Sequence, residues 1–205
     1  MGQSTIKLPE SLRTLLPDRL QALCKSSPCT RGDLLFRQGK KPTQMLFVAH
    51  GEVVLQRLGI QGESVVLHRT RGGFIGEASL QFLRYHCDAL VTVSGDVVAI
   101  PVEPFRQMLA SDSEFASRWI AMLNQEVRRL RAQCERLSMK GVKKRLLHLI
   151  ETEGKDGRLP LGASLKSMAS ELGVTHEALY RTVADLEKTG VLRRQDNFLI
   201  SPGMS

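Results

Sequence analysis

Five residues near the C-terminal end of the chain carry hydrogen-bonding groups at a spacing that places them on one face of a helix. They are Thr175, His176, Glu177, Tyr180 and Arg181. Arginine can donate two parallel hydrogen bonds to O6 and N7 of guanine, and glutamate can accept one from N4 of cytosine. His176 and Tyr180 could contact bases or phosphates. The residues therefore predict a surface that reads DNA, unless they form an ordinary solvated helix face.

The segments around these residues predict a pair of helices. Gly173 separates two apolar stretches, Thr175 is a suitable N-cap for a second helix over residues 175–188, and Gly190 is expected to end it. The pattern is that of a helix-turn-helix unit, whose second helix enters the major groove. Apolar residues at helical spacing should be buried: Leu165, Met168, Ala169 and Leu172 in the first helix, and Leu179, Val183 and Leu186 in the second.

The residues that follow predict a two-stranded wing. VLRR and FLIS are short strand-forming runs, and Asp196–Asn197 lies between them as a tight turn. A wing beside paired helices favours DNA reading over a merely solvated face. The last part of the chain thus predicts a winged helix-turn-helix.

A second candidate site lies in GGFIGEASLQFLRYHCDALV, residues 72–91. A short helix is expected over residues 78–83, directly after Gly76 and Glu77. The free N–H groups at the start of a helix favour an anion or a polar ligand. A bulged corner that caps the sheet is the alternative interpretation of the same residues.

His86 and Cys87 are adjacent, and histidine and cysteine are common ligands of haem iron. Haem or thiol sensing is therefore a further alternative. Adjacent residues of a strand point to opposite faces, which makes shared ligation of one metal difficult. Cys24 and Cys29 have no third ligand nearby, so no metal site is expected there. The simpler expectation for the strand is alternation: Tyr85, Cys87, Ala89 and Val91 inward, His86 and Asp88 outward.

The first half of the chain predicts the antiparallel β-structure that would hold this second site. After helical spacing over residues 4–23, short apolar runs are separated by glycine-bearing turns, including Gly51 and Gly95. Evenly spaced strands without long helices between them indicate a sandwich or a double-stranded β-helix. The predicted strands cover residues 34–36, 45–49, 53–58, 65–68, 89–93 and 97–101.

A long helix is expected between the two parts, over residues 105–137, because no proline interrupts this stretch. Its apolar residues alternate at spacings of three and four along one narrow seam: Ile120, Leu123, Val127, Leu130, Cys134 and Leu137. This 3.5-residue period directs the seam at a partner helix, and a second copy of the chain is the default partner. A helix lying on its own domain is the alternative, although its apolar face would be wider.

Composition limits the class of protein. The 205 residues are 42% hydrophobic and 24% charged, as in ordinary globular proteins. No apolar run matches a bilayer span and the N-terminus lacks a signal-peptide core, so we expect no membrane partner and a cytoplasmic location. The net charge of +8 favours polyanionic partners, although the surplus is spread along the chain. One local basic cluster comprises Lys140, Lys143, Lys144 and Arg145.

Catalysis is not expected from this sequence. It holds no Ser/His/Asp arrangement, Walker loop, metal-ligand array or pair of catalytic carboxylates, and its five histidines are scattered. We expect an α+β protein in three parts: a sensor barrel over residues 1–104, a dimerisation helix over 105–139, and a winged helix-turn-helix over 140–205.

The order of these parts resembles the Crp–Fnr family, the relatives of the bacterial cyclic-AMP receptor protein. The match is carried by RGDLLFRQGKKPTQMLFVAHGEV, GGFIGEASL and SLKSMASELGVTHEALYRTVADLEKTGVL, and it covers roughly residues 25–201. The resemblance implies a cyclic-nucleotide-binding-like barrel in a homodimeric, ligand-responsive transcription regulator. The implied partners are a pseudo-palindromic double-stranded DNA operator and RNA polymerase. It also implies that Glu177 and Arg181 are the main base readers.

The resemblance also implies an effector pocket, although its residues depart from those of the cyclic-nucleotide-binding members. Gly76 and Glu77 match the pair that binds the ribose, but Cys87 and Asp88 occupy the positions of the Arg-Ser pair that grips the phosphate. Arg84 could replace that arginine only through a shifted loop. Because the clamp is lost and Asp88 would repel a phosphate, an effector other than cyclic AMP is expected, or none. A cyclic-nucleotide-responsive regulator is the alternative. The implied pocket residues are Gly76, Glu77, Ala78, Arg84, Cys87 and Asp88, with Leu130 and Arg131 where those members receive the purine.

Overall fold

The computed structural model of the chain describes residues 8–59, 64–161 and 165–204. The chain divides into two compact units, Met1–Ile120 and Ala121–Ser205. Residues 4–7, where the predicted N-terminal helical stretch begins, lie outside the described residues. No helix in the described part is both long enough and apolar enough to span a bilayer.

The first unit is built on an antiparallel sheet of six described strands. Two short helices, α1 (Glu10–Leu15) and α2 (Asp18–Gln21), precede the sheet. The strands are β1 (Lys25–Cys29), β2 (Leu34–Phe36), β3 (Gln44–Leu58), β4 (Ser64–Thr70), β5 (Gly73–Ile75) and β6 (Asp88–Pro101). They pair in the order β1-β6-β3-β4, with β2 on β6 and β5 on β3. This arrangement confirms the predicted α+β fold class and the antiparallel barrel.

Gly51 and Gly95 lie inside long strands, and the prediction that they separate strands is wrong. β3 and β6 run through these glycines, and the register of the pair shifts between His50 and Val53. A Cβ atom on Gly51 would lie 2.5 Å from the carbonyl oxygen of Val93, and one on Gly95 would lie 2.1 Å from that of His50. The glycines therefore allow two irregular strands to pass at close range.

Three further local predictions differ from the structure. β1 was not predicted because its sequence, KSSPC, lacks apolar alternation, and β5 was missed because it has only three residues. The helix expected over residues 78–83 is a single 3-10 turn, Glu77–Ser79. One turn presents few free N–H groups and no sizeable dipole, so the argument for an anion site at a helix N-terminus does not apply here.

The alternating burial predicted for residues 85–91 is confirmed, although the strand β6 begins only at Asp88. Tyr85, Cys87, Ala89 and Val91 are buried, whereas His86 is exposed and Asp88 is half-buried. The inward side chains join an apolar core on one side of the sheet. The described members of this barrel core are Cys29, Phe36, Leu46, Val48, Val53, Leu55, Ile75, Tyr85, Cys87, Ala89, Val91 and Val97.

A buried carboxylate ties β3 to its two neighbouring strands. Glu52 is only 4% exposed and forms ion pairs with Arg69 and Arg71, the latter at 2.8 Å from Nε. The Thr92 hydroxyl donates to Glu52 Oε1 at 2.6 Å. Burial opposes ionisation, but the hydrogen bonds from Thr92 and Arg71 and the charge of Arg69 outweigh it, so the pKa of Glu52 lies below its usual value. The carboxylate is therefore ionised at neutral pH.

Replacing Glu52 by glutamine is expected to destabilise the protein by on the order of 1.5 kcal/mol at pH 7, because two arginines lose their counter-charge. Since the folded state depresses the pKa, the stabilisation is present above the unfolded pKa of about 4.3 and is lost as pH falls towards the folded value. Denaturant unfolding of E52Q and wild type at pH 7 and pH 3 measures the difference. The matched control is E103Q, because the Glu103 carboxylate is exposed. A stability difference for E52Q that persists undiminished at pH 3 contradicts the assignment.

The helix predicted as continuous over residues 105–137 is broken at Asp112, which corrects that prediction. It consists of α3 (Val102–Ser111) and α4 (Ser113–Ser138). Asp112 has extended backbone angles, and its Oδ1 accepts a hydrogen bond from the backbone N–H of Phe115 at 2.9 Å. The aspartate thus acts as the N-cap of α4, a local signal that stops one helix and starts the next.

Aromatic side chains pack α3 and the first turns of α4 against the sheet. The ring of Phe105 contacts those of Phe115 and Trp119 edge-on, at centroid distances of 5.2 and 4.8 Å. Phe74 continues the cluster, because its ring lies between those of Trp119 and Phe47 at 5.0 and 5.1 Å. These contacts explain why the start of α4 belongs to the first unit.

The second unit contains the rest of α4 and a compact helical module with a small sheet. Its elements are α5 (Val142–Glu153), β7 (Arg158–Pro160), α6 (Leu165–Glu171), α7 (His176–Lys188), β8 (Arg193–Gln195), β9 (Phe198–Ile200) and a 3-10 turn (Pro202–Met204). The described core joins residues of α5, α6 and α7 with Leu159, Leu192 and Leu199. The three strands pair antiparallel in the order β7-β9-β8, and β7 was not predicted.

The end of α4 is fastened to α5 by a buried arginine. Arg136 has no exposed surface, and its guanidinium donates to the Thr152 hydroxyl at 3.1 Å and to the carboxylate of Glu153. A paired charge inside the unit fixes the direction in which the chain leaves α4.

Candidate nucleic-acid interface and sensor site

The second helix of the predicted pair begins as the sequence indicates. Thr175 has extended backbone angles, and its hydroxyl accepts a hydrogen bond from the backbone N–H of Ala178 at 3.2 Å. Gly173 has φ +62°, a left-handed conformation that ends α6 and turns the chain towards α7. The apolar residues predicted for α6 and α7 are buried in the core of the second unit. The helix-turn-helix prediction is thereby confirmed.

The polar face of α7 points away from that core. Glu177, Tyr180 and Arg181 are exposed and His176 is half-buried. The rings of His176 and Tyr180 contact each other edge-on at 4.3 Å between centroids. In the described part of the chain, Arg181 forms no hydrogen bond or ion pair. Its guanidinium fork is therefore available to an external acceptor.

Glu177 is held in its ionised, accepting state. Its own backbone N–H, with lesser contributions from the Thr175 hydroxyl and the charge of His176, lowers the pKa of the Glu177 carboxyl. Next to it on the same face, Arg181 supplies donors. The face thus combines a carboxylate that can accept from cytosine N4 with a guanidinium that can donate to guanine O6 and N7.

The wing lies where the sequence predicted it, and α7 supports it. Asp196 and Asn197 have φ values of +48° and +64°, as a two-residue hairpin turn requires. Arg194 forms a two-pronged ion pair with Glu187 of α7, at 2.8 and 2.7 Å. This pair lowers the pKa of Glu187 and raises that of Arg194. The wing is therefore positioned beside the exposed face of α7 rather than free of it.

Arg145 does not act with the basic cluster in which the sequence placed it. Its guanidinium donates to the carbonyl oxygens of Leu137, Met139 and Leu172, at 3.1, 2.9 and 2.8 Å. It thus joins the ends of α4 and α6 by satisfying carbonyl groups that helix termini leave free. The exposed members of the cluster are Lys140, Lys143 and Lys144.

Gly76, the first of the implied sensor residues, lies against an aromatic stack. Gly76 has φ +86°, and a Cβ atom there would lie 3.4 Å from the ring of Tyr85 and 3.5 Å from that of Phe36. Those two rings stack at 4.0 Å between centroids. Glycine is therefore favoured at position 76 for two reasons: its φ angle is positive, and a side chain there would contact the stacked rings. Glu77 follows as a half-buried residue and Ala78 is exposed.

The side chains of Arg84 and Asp88 both form hydrogen bonds with backbone groups of residues 37–41. Arg84 donates from Nη1 to the carbonyl oxygen of Gly39 at 2.8 Å. Asp88 accepts from the backbone N–H of Gln38 at 2.7 Å. Each side chain satisfies a backbone group, so neither is placed as a replacement for a phosphate clamp.

Cys87 is buried among the core residues of the barrel. Burial raises the pKa of the Cys87 thiol to about 11, the nearby charge of Arg57 opposes that shift, and the charges of Asp88 and Glu77 add to it. His86 lies on the outer side of the strand, with Nδ1 at 3.5 Å from the Ser79 hydroxyl. The two residues thus point apart, and shared ligation of one haem iron has no geometric support. No group of three or more metal-ligating side chains occurs among residues 8–59, 64–161 and 165–204.

Because the thiol is protonated at neutral pH, Cys87 is expected to resist alkylation by iodoacetamide at pH 7.5 in the folded protein. Peptide mapping by mass spectrometry after timed labelling measures this, with urea-unfolded protein as the control in which Cys87 reacts. Modification of Cys87 in folded protein as fast as in urea would reinstate the thiol-sensing alternative.

Arg57 is a candidate sensor residue that the sequence analysis missed. Val53 and Leu55 face the barrel core, and Arg57 follows two residues later on the same face of β3. It is exposed, and its charge acts on the Cys87 thiol. It makes no ion pair within the described residues. The period-two alternation of this strand was the available signal, but it required knowing that β3 adjoins Cys87.

The seam predicted on the long helix lies along α4 as a row of uncovered side chains. Ile120 is 56% exposed, and Val127, Leu130 and Leu137 are each at least 40% exposed. Cys134 is exposed as well, while Leu123 is half-buried. Leu130 and Arg131, which the resemblance placed at a purine subsite, are both exposed residues of this helix. The single chain thus leaves a narrow apolar stripe in contact with water.

Residues 28–112 match the family described as Cyclic nucleotide-binding domain. No curated protein sequence matches the chain. Among solved structures, the chain is similar to a protein from Silicibacter pomeroyi DSS-3 described as a cAMP-binding regulatory protein, with 26% identity over 92% of this chain and 88% of that one, and a TM-score of 0.62.

Two more distant structures share the fold over most of their length. FixK2 from Bradyrhizobium japonicum is 17% identical over 88% of this chain and 93% of its own, with a TM-score of 0.66. A transcriptional regulator of the CRP family from Thermus thermophilus is also 17% identical, over 87% of this chain and 92% of its own, with a TM-score of 0.55. Residues 28–112 thus match the cyclic nucleotide-binding domain family, and the chain shares its fold with these solved structures.

Proposed function

We propose that the protein is a homodimeric DNA-binding transcription regulator and not an enzyme. The observation that carries the proposal is the polar face of α7, on which exposed Glu177 and Arg181 are presented by a capped helix and flanked by a wing. α7 would enter the major groove, with Arg181 donating to guanine and Glu177 accepting from cytosine. Thr175, His176 and Tyr180 would contact phosphates or neighbouring bases.

The seam on α4 supports the homodimer in this proposal. A two-fold axis along paired α4 helices would cover the exposed row from Ile120 to Leu137 in each chain. The same axis would relate two α7 helices, so the operator would be a pseudo-palindrome with half-sites about 34–36 Å apart. RNA polymerase is proposed as a further partner, on the resemblance to the Crp–Fnr family.

Selection of binding sites from a random duplex library with the full-length protein tests the proposal. The expected product is a two-fold symmetric sequence whose half-sites are separated by about one helical turn. Binding should weaken as salt increases, because phosphate contacts release counterions. A library that yields no enriched sequence, with and without candidate effectors, would contradict DNA reading by this protein.

The barrel is proposed to sense an effector other than cyclic AMP. Cys87, a buried neutral thiol, occupies the position at which cyclic-nucleotide-binding members have an arginine. Arg84 cannot replace that arginine in this arrangement, because its guanidinium donates to the carbonyl oxygen of Gly39. Arg57 lies on the neighbouring strand within electrostatic reach of Cys87, and it would pair with a negatively charged group of the effector. Effector binding would change how the α4 helices pair and thereby the spacing of the two α7 helices.

A thermal-shift screen of cyclic AMP and other small anions is expected to show no stabilisation by cyclic AMP. For any anion that does stabilise the protein, R57A should weaken binding by about tenfold or more, the usual effect of losing a hydrogen bond to a charged group. R31A is the matched control, because Arg31 is an exposed arginine outside the core face of β3. Equal affinity in R57A and wild type would contradict the role of Arg57 without affecting the proposal for DNA.

A further inference from the structure

Two adjacent apolar side chains stand free on the surface of the first unit. Leu83 is 88% exposed and Phe82 is 66% exposed. They follow the 3-10 turn, where the backbone N–H of Phe82 donates to the carbonyl oxygen of Ser79 at 3.1 Å. A folded chain gains nothing from holding a leucine and a phenylalanine in water, so such a pair often marks a contact with another molecule.

Basic residues of a second segment, residues 37–41, are held against the chain that follows this pair. The backbone N–H of Gly39 donates to the carbonyl oxygen of Tyr85, and that of Tyr85 donates to the carbonyl oxygen of Lys40, both at 2.9 Å. The turn over residues 37–41 is thereby fixed against the residues that follow Leu83. The result is one surface with four exposed cations: Arg37, Lys40, Lys41 and Arg84.

One acidic side chain next to this surface, Asp88, is engaged by the backbone. The carboxylate of Asp88 accepts the backbone N–H of Gln38 at 2.7 Å and is half-buried. The Arg84 guanidinium is oriented by the Gly39 carbonyl, a neutral group, so its charge remains. The surface therefore combines an apolar pair with four exposed cations.

We propose that this surface, Phe82 and Leu83 with Arg37, Lys40, Lys41 and Arg84, docks an acidic segment of another protein that carries apolar side chains. The apolar pair would supply contact area at the centre, and the cations would attract the segment and fix its orientation. This site is separate from the α7 face and from the barrel interior, and it does not require the proposed DNA binding.

A second copy of the same chain fits this surface poorly. On a two-fold axis the patch would face itself and bring two sets of four cations together, which costs free energy. Duplex DNA also fits poorly, because phosphates are bound by cations and hydrogen-bond donors, and an exposed leucine in the patch provides neither. The chemistry of the surface thus selects a protein segment of opposite charge.

The test is selection of phage-displayed random 12-residue peptides on the immobilised full-length protein at 0.15 M NaCl. Enriched peptides are expected to carry an excess of Asp and Glu together with Leu, Ile, Phe or Trp. A fluorescein-labelled synthetic copy of the best peptide should bind wild type at least tenfold more tightly than F82S/L83S or K40E/K41E. Raising NaCl to 0.5 M should weaken binding further, because exposed charges are screened over a few ångströms.

Matched controls use substitutions of the same kind elsewhere on the first unit. L58S removes a leucine that is 68% exposed, and K25E reverses an exposed lysine on β1; both should bind the peptide within twofold of wild type. Three results would overturn the proposal: enriched peptides without an acidic excess, equal peptide binding by F82S/L83S and wild type, or loss of the peptide to competition by duplex DNA. Dissociation of the protein in F82S/L83S, measured by sedimentation velocity, would assign the surface to a second copy and would equally overturn it.

Discussion

Replacing Arg181 by alanine is expected to lower the affinity for the selected operator by about tenfold to a hundredfold. The preference at one base position in each half-site should be lost with it, because alanine offers no donors to guanine O6 and N7. Arg181 is exposed on α7 and has no partner in the described part of the chain, so the folded state should be unaffected. Fluorescence anisotropy with the operator and with single-base variants of it measures both effects.

The control for this substitution is K25A, which removes an exposed cation from the first unit and should leave operator affinity unchanged. Thermal unfolding of R181A should coincide with that of wild type. A variant that kept both its affinity and its base preference would exclude Arg181 from the reading surface. A variant that lost affinity equally for all base variants would assign Arg181 to a phosphate instead.

Introducing glutamate at both Val127 and Leu130 is expected to convert the proposed dimer to monomers. Both residues lie on the seam and are at least 40% exposed in the single chain, so the fold of the chain should survive. Each apolar side chain buried in a dimer contributes about 1.5–3 kcal/mol, and four of them are replaced by like charges. The dimer dissociation constant should therefore rise by at least about a thousandfold. Sedimentation velocity at micromolar concentration measures this, and operator affinity should fall in parallel.

The matched control places the same charge on the outer side of the same helix. Gln125 and Arg128 are exposed, and the 3.5-residue period puts them away from the seam. The variant Q125E/R128E should therefore sediment as wild type does. If V127E/L130E also sediments as a dimer, the seam is not the interface, and the symmetric operator loses its structural basis.

The helix-turn-helix could be predicted from the sequence because its signals are local. Apolar spacing of three and four residues, the Gly173 turn and the Thr175 cap all act within a few residues of each other. The Asp196–Asn197 turn is equally local, since positive φ at two adjacent residues is a property of the dipeptide. For the same reason, the alternation of strand residues 85–91 was sufficient to separate Cys87 from His86.

Errors in the sequence analysis occurred where one segment meets a distant one. Gly51 and Gly95 were interpreted as turns, because the sequence does not show that β3 and β6 approach each other closely there. Arg145 was counted as a free cation, although its partners are carbonyl oxygens at the ends of two helices. The Asp112 cap was a local signal that was overlooked, since the absence of proline was taken to mean an unbroken helix.

The sequence by itself determined the fold class, the helix pair with its wing, and the polar face of α7, because each depends on periodicity or on short-range capping. Only the tertiary structure decided that Arg57 adjoins Cys87, that Glu52 is paired with Arg69 and Arg71, and that Phe82 and Leu83 stand beside a basic turn. These arrangements join residues that are distant along the chain or depend on which faces the fold leaves uncovered. Their energies depend on distance and burial in space, which residue spacing does not encode.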